Sequence, residues 1–322
     1  MSFKKDFAIG SLKLPHNIIY APLAEYTDFA YRRLIRDFHI GLMFCEMIKM
    51  EALVREKSTK LLKYTKNMLP IGAQLLGANS NVATDAARKL EDLGFDIIDF
   101  NCGCPVQKVT KDGSGAAMLK NPKQIFEILK KLVEAVKIPV SIKIRLGWDD
   151  NSIVASEIVK IAIDAGAKMI TIHGRTKKQG YSGRSNWDYI KECKNVAKND
   201  ILVIGNGDLY TPDDVKSMFE STNVDGVMIA RGMLSSPWLS SDIESYFTNK
   251  NKPNISRKKI LLKYISYLIE EKKDKAVFDL RRISGWFLRG SRDIKSLRIG
   301  INAAVNIDET IKLIERFNWE EE

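Results

Sequence analysis

The sequence of 322 residues contains little cysteine and little histidine, and it lacks a long apolar run. Its four cysteines are too few for a disulfide framework in a chain of this length, which indicates a reducing compartment. No stretch of about 18 apolar residues is present, so we expect no membrane-spanning helix and no membrane partner. Residues 1–6 also lack the apolar segment of a secretory signal. These absences together predict a cytoplasmic protein.

Acidic residues are outnumbered by basic ones, and the imbalance is concentrated in one segment. The whole chain has 51 Lys and Arg against 40 Asp and Glu, a net charge of +11. Residues 250–298 hold 15 basic and 5 acidic residues, a local balance of +10. Such asymmetry indicates a polyanionic partner such as a nucleic acid. The alternative is the solvated surface of lysine-rich helices.

Eight apolar, strand-like runs alternate with helix-like stretches over the first 240 residues. Continuous apolar strands separated by amphipathic helices are typical of a parallel sheet, and eight such units predict an α/β fold of the (β/α)8 TIM-barrel type. A hairpin within residues 7–14 is expected to close the bottom of the barrel. Residues 241–322 show helical periodicity and no convincing strand, so we expect a catalytic barrel in residues 1–240 and an α-helical domain in residues 241–322. The predicted strands are 17–21, 42–46, 71–75, 96–100, 140–145, 169–173, 202–206 and 226–230, and the predicted helices include 81–93, 122–136, 152–165 and 212–219.

The segment Asp-Phe-Asn-Cys-Gly-Cys-Pro at 99–105 follows the fourth predicted strand and carries the strongest chemical signal. It places the thiol of Cys104 on a tight turn at the carboxyl end of a strand, which is the active-site end of a β/α barrel. Such a thiol can serve as a nucleophile, a metal ligand or a proton donor. A Cys-x-Cys pair without a second pair is a poor zinc signal, so no metal is expected. An ordinary thiol, with a pKa of about 8.5, is protonated at neutral pH and suits a general acid.

Other polar residues stand at or near the carboxyl ends of the predicted strands. Strand alternation places Ser141, Lys143 and Arg145 on the same face of an apolar strand, and in a barrel that face is the interior. A buried lysine there can form a Schiff base, a structural ion pair or a counter-ion for an anionic cofactor. Gln74 can bond a planar heterocycle or satisfy core backbone groups. His173 is the only one of three histidines at such a position, which favours a functional role.

The loops after the seventh and eighth predicted strands are candidates for phosphate binding, as in many β/α barrels. Gly205, Gly207 and Gly232 allow close approach of the backbone there, and Arg231 adds a positive charge. The alternative is that these glycines serve only tight turns. No G-x-G-x-x-G fingerprint follows a strand, so a nicotinamide cofactor would bind only transiently, as a reductant.

Eight ordered motifs run along the chain. They read Ala-Pro-Leu-Ala at 21–24, Glu-Met at 46–47, Gln-Leu-Leu-Gly at 74–77, Asn-Cys-Gly-Cys-Pro at 101–105, Lys-Ile-Arg-Leu-Gly-Trp at 143–148, His-Gly-Arg-Thr at 173–176, Gly-Asn-Gly-Asp at 205–208 and Asp-Gly-Val-Met-Ile-Ala-Arg-Gly at 225–232. With these motifs the chain resembles the tRNA-dihydrouridine synthases over about residues 9–298, and among them the bacterial B-type branch. One departure concerns the segment 281–290, where Ser284 stands at a position that is usually histidine.

The resemblance implies an FMN-bound barrel and a C-terminal helical domain that grips tRNA. It implies that reduced FMN passes a hydride to C6 of specific uridines while a thiol, here Cys104, gives a proton to C5, and that NADPH or NADH supplies the electrons. The target base would have to leave its RNA stack. The matching flavin positions are Pro22, Leu23, Ala24, Gln74, Lys143, His173, Asn206, Gly207, Asp208, Ala230 and Arg231. Asn101 and Arg145 match positions that contact the base, and the other residues assigned to tRNA are Arg175, Lys258, Lys259 and Arg282.

Three other interpretations fit parts of the pattern. The first is an FMN barrel oxidoreductase that acts on a free pyrimidine or dihydroorotate, which would not need a basic helical tail. The second is an aldolase-like barrel with Lys143 as a Schiff-base amine. The third is a non-catalytic RNA-binding barrel, which the presence of Cys104 and Lys143 disfavours. For a protein that resembles the tRNA-dihydrouridine synthases, which is the interpretation that we favour, we expect a monomer that binds tRNA.

Overall fold

The computed structural model describes residues 3–55, 59–252, 254–289 and 294–319. Eight parallel strands close into a barrel, because β11 pairs with β3 and β4 pairs with β6. The predicted (β/α)8 fold is therefore confirmed. The strands are β1 (Lys5–Ile9), β2 (Leu12–His16), β3 (Ile18–Tyr20), β4 (Leu42–Phe44), β5 (Ile48–Lys49), β6 (Ile71–Leu76), β7 (Ile97–Cys102), β8 (Val140–Arg145), β9 (Met169–His173), β10 (Leu202–Asn206) and β11 (Gly226–Ile229).

Helices surround the barrel and continue beyond its last strand. Pro122 begins α5, and the side chain of Asn121 caps that helix by accepting from the Gln124 N–H. Gly166 ends α6 with a φ of 88°, a conformation that favours glycine. The helices are α1 (Phe29–Arg36), α2 (Met50–Val54), α3 (Ala83–Asp92), α4 (Gln107–Thr110), α5 (Pro122–Ala135), α6 (Ala155–Ala165), α7 (Trp187–Ala197), α8 (Pro212–Thr222), α9 (Arg231–Ser235), α10 (Leu239–Thr248), α11 (Arg257–Lys272), α12 (Ala276–Phe287), α13 (Ile294–Ala303) and α14 (Ile307–Arg316). Among the described segments, none of these helices has both the length and the apolar character needed to cross a bilayer.

The eight barrel strands lie where the apolar runs predict them, with small differences at their ends. The strand β7 extends to Cys102, two residues beyond the prediction, so Asn101 lies within the sheet and opposite Lys143. The short strand β5 was not predicted, and it pairs with the end of β6. Two residues are too few to produce a periodic signal in the sequence.

The hairpin β1–β2 closes the amino-terminal end of the barrel, as predicted. The two strands pair antiparallel, with Phe7 opposite Leu14. Phe7, Ile9 and Leu14 belong to one buried cluster with barrel residues that include Met169 and Ile204. A second, larger cluster fills the space between the strands and the surrounding helices. The amino-terminal end is thus packed, which leaves the carboxyl end for a site.

The carboxyl-terminal helices pack against one side of the barrel. Helix α10 lies on α8, where the rings of Phe247 and Phe219 are 6.1 Å apart. Helix α11 lies on α1, where Tyr264 meets Tyr31 edge-on with ring centroids 5.6 Å apart. The described residues after 241 contain helices and no strand. Ser284 is 1 % exposed, so its side chain lies within the helical packing and not on a surface.

Candidate active site

A cleft of about 300 Å³ opens at the carboxyl end of the barrel. Fourteen of the residues proposed from the sequence line it together, drawn from all parts of the barrel. Cys104 and Lys143, which are 39 positions apart in the chain, share its walls. These fourteen are Pro22, Leu23, Ala24, Gln74, Asn101, Cys104, Lys143, Arg145, His173, Asn206, Gly207, Asp208, Ala230 and Arg231, and the phosphate candidate Gly232 lines the cleft as well.

The register of the parallel strands explains why these side chains meet. Side chains on adjacent parallel strands point to the same face when their residues are paired, and in a barrel one face is the interior. Asn101 on β7 pairs with Lys143 on β8, and Arg145 on β8 pairs with His173 on β9. His173 in turn pairs with Asn206 on β10. Four neighbouring strands therefore present polar groups to one cavity.

The thiol of Cys104 is half-buried at the edge of the cleft, whereas the thiol of Cys102 is fully buried. Burial raises the pKa of the Cys104 thiol, although the Val106 N–H and the charges of Arg145 and Lys143 act in the opposite direction. The group is consequently protonated at neutral pH. This state suits a proton donor better than a nucleophile.

Lys143 extends from β8 into the cleft and has a polar partner there. Its Nζ donates to Oδ1 of Asn206 at 3.3 Å, and the Asn206 amide donates to the carbonyl of Met228 at 2.6 Å. Burial, together with the nearby Arg145, lowers the pKa of Lys143 to about 8. The ammonium group is therefore charged at neutral pH but is easily deprotonated unless an anion lies beside it.

Positive charge prevails in the cleft. Among the described residues that line it, Lys143, Arg145 and Arg231 are cations and Asp208 is the one acid. Burial, with Arg145 as the largest of the nearby charges, holds the pKa of His173 well below its usual range, so that imidazole is neutral. The cavity is thus suited to an anionic ligand.

Arg175 lies behind the cleft wall and does not line the cavity. It is 2 % exposed, and its Nη2 donates to both carboxylate oxygens of Asp208, at 2.8 and 2.7 Å. The same nitrogen donates to the carbonyl of Gly183 at 2.7 Å. Arg175 therefore fixes Asp208 and the loop after β9, and this geometry does not present it to an RNA molecule.

The three remaining proposed residues belong to the helical region and lie outside the cleft. Lys258 donates to the carbonyl of Glu315 at 3.0 Å, and Lys259 is exposed. Arg282 forms an ion pair with Asp279 and lies over the ring of Tyr26, 5.7 Å from its centroid. Since Tyr26 lines the cleft, Arg282 is close to the mouth of the cleft.

The two glycines at the carboxyl end of β10, Gly205 and Gly207, have different surroundings. Gly207 has a φ of 117°, and a Cβ there would lie 2.9 Å from the His173 ring, so the backbone approaches the cleft closely. Gly205 faces the opposite side, where a Cβ would meet Met218 of α8 at 2.8 Å. Gly205 therefore packs against the helical layer and does not line the cleft, whereas Gly207 and Gly232 do, and phosphate binding by these loops stays a prediction.

Several residues of the site were missed by sequence reasoning. Tyr181, on the loop after β9, is 54 % exposed, and the centroid of its ring lies 4.6 Å from the guanidinium carbon of Arg231. Tyr26 and Tyr210 also line the cleft. They stand in loops without periodicity, so no sequence signal marked them. Asp99 was quoted only as part of a motif, yet it is fully buried beneath the cleft and bonded to Gln74 at 2.7 Å.

The fold and the cleft together define a β/α-barrel protein with a cationic cleft and a protonated thiol at its carboxyl end. A family model described as dihydrouridine synthase (Dus) matches residues 19–318. The chain belongs to the dihydrouridine synthase family, an enzyme family, as the sequence motifs predicted.

Relatives cover nearly the whole chain. A probable tRNA-dihydrouridine synthase of Rickettsia bellii is 37% identical over 302 residues, which are 91% of this chain and 92% of the relative. The tRNA-dihydrouridine synthase B of Pasteurella multocida is 33% identical over 316 residues, 96% of this chain and 95% of the relative. The match to a B-type relative agrees with the predicted branch.

Solved structures share the architecture at low sequence identity. Histamine dehydrogenase from Rhizobium sp. 4-9 aligns with a TM-score of 0.58 and 14% identity, over 81% of this chain and 50% of that chain. A mandelate oxidase variant aligns with a TM-score of 0.53 and 16% identity, over 77% and 78% of the two chains. At such identities the similarity concerns the fold alone.

Proposed function

We propose that this protein reduces specific uridines of tRNA to 5,6-dihydrouridine, with FMN bound in the cleft and NADPH or NADH as a transient reductant. The observation that carries the proposal is the meeting of Cys104 and Lys143 in one cationic cleft of a dihydrouridine synthase barrel. The substrate class follows the names of the relatives, which are tRNA-dihydrouridine synthases. We further propose a cytoplasmic monomer, as the sequence analysis expects.

The residues of the cleft fit a phosphorylated, planar and anionic cofactor. Arg231 and the close backbone approach at Gly207 suit the phosphate group. Lys143 suits the ring system, because an anion beside it would offset the cost of burying the ammonium group. The other residues that would hold FMN are Pro22, Leu23, Ala24, Gln74, His173, Asn206, Asp208 and Ala230. When bound and reduced, FMN supplies the hydride.

The chain's own contribution to the reaction is a proton held at a defined place. Cys104 keeps its proton at neutral pH, because burial raises the pKa of its thiol. A general acid must retain its proton until charge develops on the acceptor carbon. Arg145 donates to the carbonyl of Gly103 at 2.9 Å and to that of Gly180 at 2.8 Å. It thereby ties the Cys104 turn to the loop that carries Tyr181 and shapes the space for a uracil base.

The RNA would approach from the open end of the barrel and the adjoining helices. Asn101 and Arg145 line the cleft and are assigned to the base, and Lys258, Lys259 and Arg282 are assigned to phosphates. Arg175 supports the cleft through Asp208 and acts on RNA only through the loop that it holds. Since the target base must reach a cavity inside the barrel, it has to be extruded from its stack.

The decisive experiment is a product assay on unmodified tRNA. Purified protein is incubated with FMN, NADPH and a tRNA transcript, and the nucleosides are analysed by mass spectrometry for a gain of two hydrogens on uridine. Formation of dihydrouridine in the tRNA supports the proposal, provided that free uracil and dihydroorotate are not converted at ordinary rates. Turnover of the free pyrimidines without reaction of the tRNA would refute it in favour of the first alternative.

A further inference from the structure

A chain of buried side-chain hydrogen bonds runs beneath the cleft and joins three neighbouring strands. Asp99 on β7 accepts from Oγ of Ser141 and from Nε2 of Gln74, both at 2.7 Å. Oε1 of Gln74 accepts from Nδ2 of Asn101 at 2.7 Å. Oδ1 of Asn101 accepts from the backbone N–H of Cys104 at 2.9 Å. The chain therefore begins at a buried carboxylate and ends on the backbone of the cleft thiol.

Two groups that cannot reverse stand at the ends of this chain, namely the acceptor-only carboxylate of Asp99 and the donor-only backbone N–H groups of Gly103 and Cys104. An ionised Asp99 offers only acceptors, so Gln74 has to turn its NH2 group toward it. The carbonyl of Gln74 then faces Asn101, which in turn has to offer its own NH2 group. The carbonyl of Asn101 is left to accept from the turn, where it binds the N–H of Gly103 at 3.1 Å as well as that of Cys104. Both ends thus require the same orientation, and Asp99 secures it at the end that lies away from the turn.

The burial of the chain makes a wrong orientation costly. Asp99 and Ser141 are fully buried and Gln74 is 1 % exposed, so water does not replace a missing partner. If Gln74 and Asn101 were both reversed, an NH2 group of Asn101 would face the two N–H groups of the turn. Donors would then oppose donors, and the turn that carries Cys104 would have to move.

We propose that Asp99 is a positioning residue that holds the Cys104 turn in place by setting the direction of this hydrogen-bond chain. The inference deepens the proposed function, on which it rests, since Cys104 is there the proton donor. Asp99 does not line the cleft, and its hydrogen-bonded path to the Cys104 turn runs through Gln74 and Asn101. The role differs from that of a counter-ion to Lys143, because it depends on the path of bonds and not on charge alone.

The test uses Asp99→Asn and the rate at which iodoacetamide alkylates Cys104, followed by mass spectrometry of the purified enzyme with and without FMN. Cys104 is half-exposed while the other three cysteines are buried, so the peptide that contains it reports the turn. A neutral amide at position 99 can turn either its oxygen or its NH2 group toward Gln74, so it no longer enforces the direction of the chain and replaces a charge-assisted acceptor by a weaker one. We expect alkylation to become about tenfold faster as the support of the turn weakens. We also expect kcat to fall with little change in KM for tRNA.

A double substitution provides the sharpest control. In Asp99→Asn combined with Gln74→Glu, the acceptor-only group is moved one position along the chain. The introduced carboxylate at position 74 would accept from the introduced amide at position 99 and from Asn101, which restores the original direction at the turn. We expect the double variant to return toward the alkylation rate of the unsubstituted enzyme, whereas Gln74→Glu alone opposes two carboxylates and departs from it.

Two further variants keep the proposal falsifiable. Asp96→Asn alters a carboxylate just before the same strand, where it accepts from the Ile71 N–H at 2.7 Å, and it should leave Cys104 alkylation unchanged. Gln74→Met breaks the chain but keeps the charge of Asp99, and it replaces Asp99→Asn if that variant does not fold. Normal alkylation in Gln74→Met, or a double variant no closer to the original enzyme than its singles, overturns the proposal. If the unsubstituted enzyme forms no dihydrouridine in tRNA, that result would instead overturn the proposed function.

Discussion

At the scale of single residues, burial governs the chemistry of the cleft more than any one neighbour does. It is the largest influence on the pKa of Cys104, Lys143 and His173 alike. The thiol stays protonated, the imidazole stays neutral and the ammonium group becomes easy to deprotonate. Strand periodicity placed Lys143 in the barrel interior, but it did not show how far burial would shift the pKa of each group.

Replacing Cys104 should separate binding from catalysis. In Cys104→Ala we expect FMN and tRNA to bind normally while dihydrouridine formation falls by a factor of about 10² or more, because a positioned general acid contributes that much. Product analysis after a timed incubation measures the loss. Cys102→Ala is the matched control, since that thiol is fully buried and lies outside the cleft. An equal loss in both variants would argue against a chemical role for Cys104.

The charge of Lys143 should appear in the pH dependence of flavin binding. The pKa of Lys143, about 8, lies below the ordinary 10.5, so in the protein without FMN the ammonium group is deprotonated as the pH rises through about 8. Binding of an anion then requires re-protonation, and the Kd for FMN should rise by up to about tenfold between pH 7 and 9. Titration of FMN fluorescence measures it. Lys143→Met should bind more weakly and without this step, and an unchanged step in that variant would assign it to another group.

At the scale of elements, the basic surface belongs to helices that stand beside the mouth of the cleft. Arg282 on α12 reaches the rim through Tyr26, and Lys258 and Lys259 lie in the first turn of α11. The sequence predicted this charge imbalance and its helical setting. It did not predict that Arg282 is already paired with Asp279, a contact between residues three apart on one helix face.

Neutralising these three residues should weaken RNA binding through electrostatics. In Lys258→Gln, Lys259→Gln and Arg282→Gln combined, we expect weaker tRNA binding and a smaller dependence on salt. The slope of log K against log salt concentration should shrink by about 0.7–0.9 for each phosphate contact that is lost. Filter binding at several salt concentrations measures the slope.

The control removes the same charge from the opposite end of the barrel. Lys13 lies in the closing hairpin, and Lys137 and Lys168 lie just before β8 and β9, all on the exposed surface. The triple Gln variant at these sites should retain the original slope. Equal effects of the two triple variants would mean that net charge, and not this helical surface, governs binding.

At the scale of the whole molecule, a charge bridge joins the helical region to the barrel. Lys272 of α11 lies 2.5 Å from Asp28, which caps α1, and 2.9 Å from Asp279 of α12. Asp28 also stands two residues from the cleft residue Tyr26. The bridge holds α1, α11 and α12 together beside the cleft, so the position of the basic helices relative to the cleft depends on it.

Removing the bridge should cost stability. In Lys272→Met the carboxylates of Asp28 and Asp279, each 12 % exposed, would lose their shared cation. We expect the free energy of unfolding to fall by about 1–3 kcal/mol, measured by urea denaturation. Lys263→Met is the matched control, because its pair with Asp37 is exposed and should contribute less than about 1 kcal/mol. Equal losses in the two variants would contradict a special role for the bridge.

The sequence predicted the barrel and most of the cleft because both follow from local patterns. Apolar runs located all eight strands, and the polar residues at their carboxyl ends, together with the positions matched by the family resemblance, identified fourteen cleft residues. The prediction was weaker where side chains are fixed by distant partners. Arg175 looked available for RNA, yet Asp208 and Gly183 bind it within the wall. Tyr181 went unnoticed, because its loop is placed by Arg145 through backbone carbonyls.

By itself, the sequence determined the alternation of strands and helices, the position of a thiol after the fourth barrel strand and the family to which the chain belongs. Those properties depend on side-chain periodicity and on motifs, which are written along the chain. Only the tertiary structure decided which polar groups pair with each other, such as Asp99 with Gln74 and Lys143 with Asn206. Such pairs arise from strand register and barrel closure, which bring together residues that are far apart in the sequence.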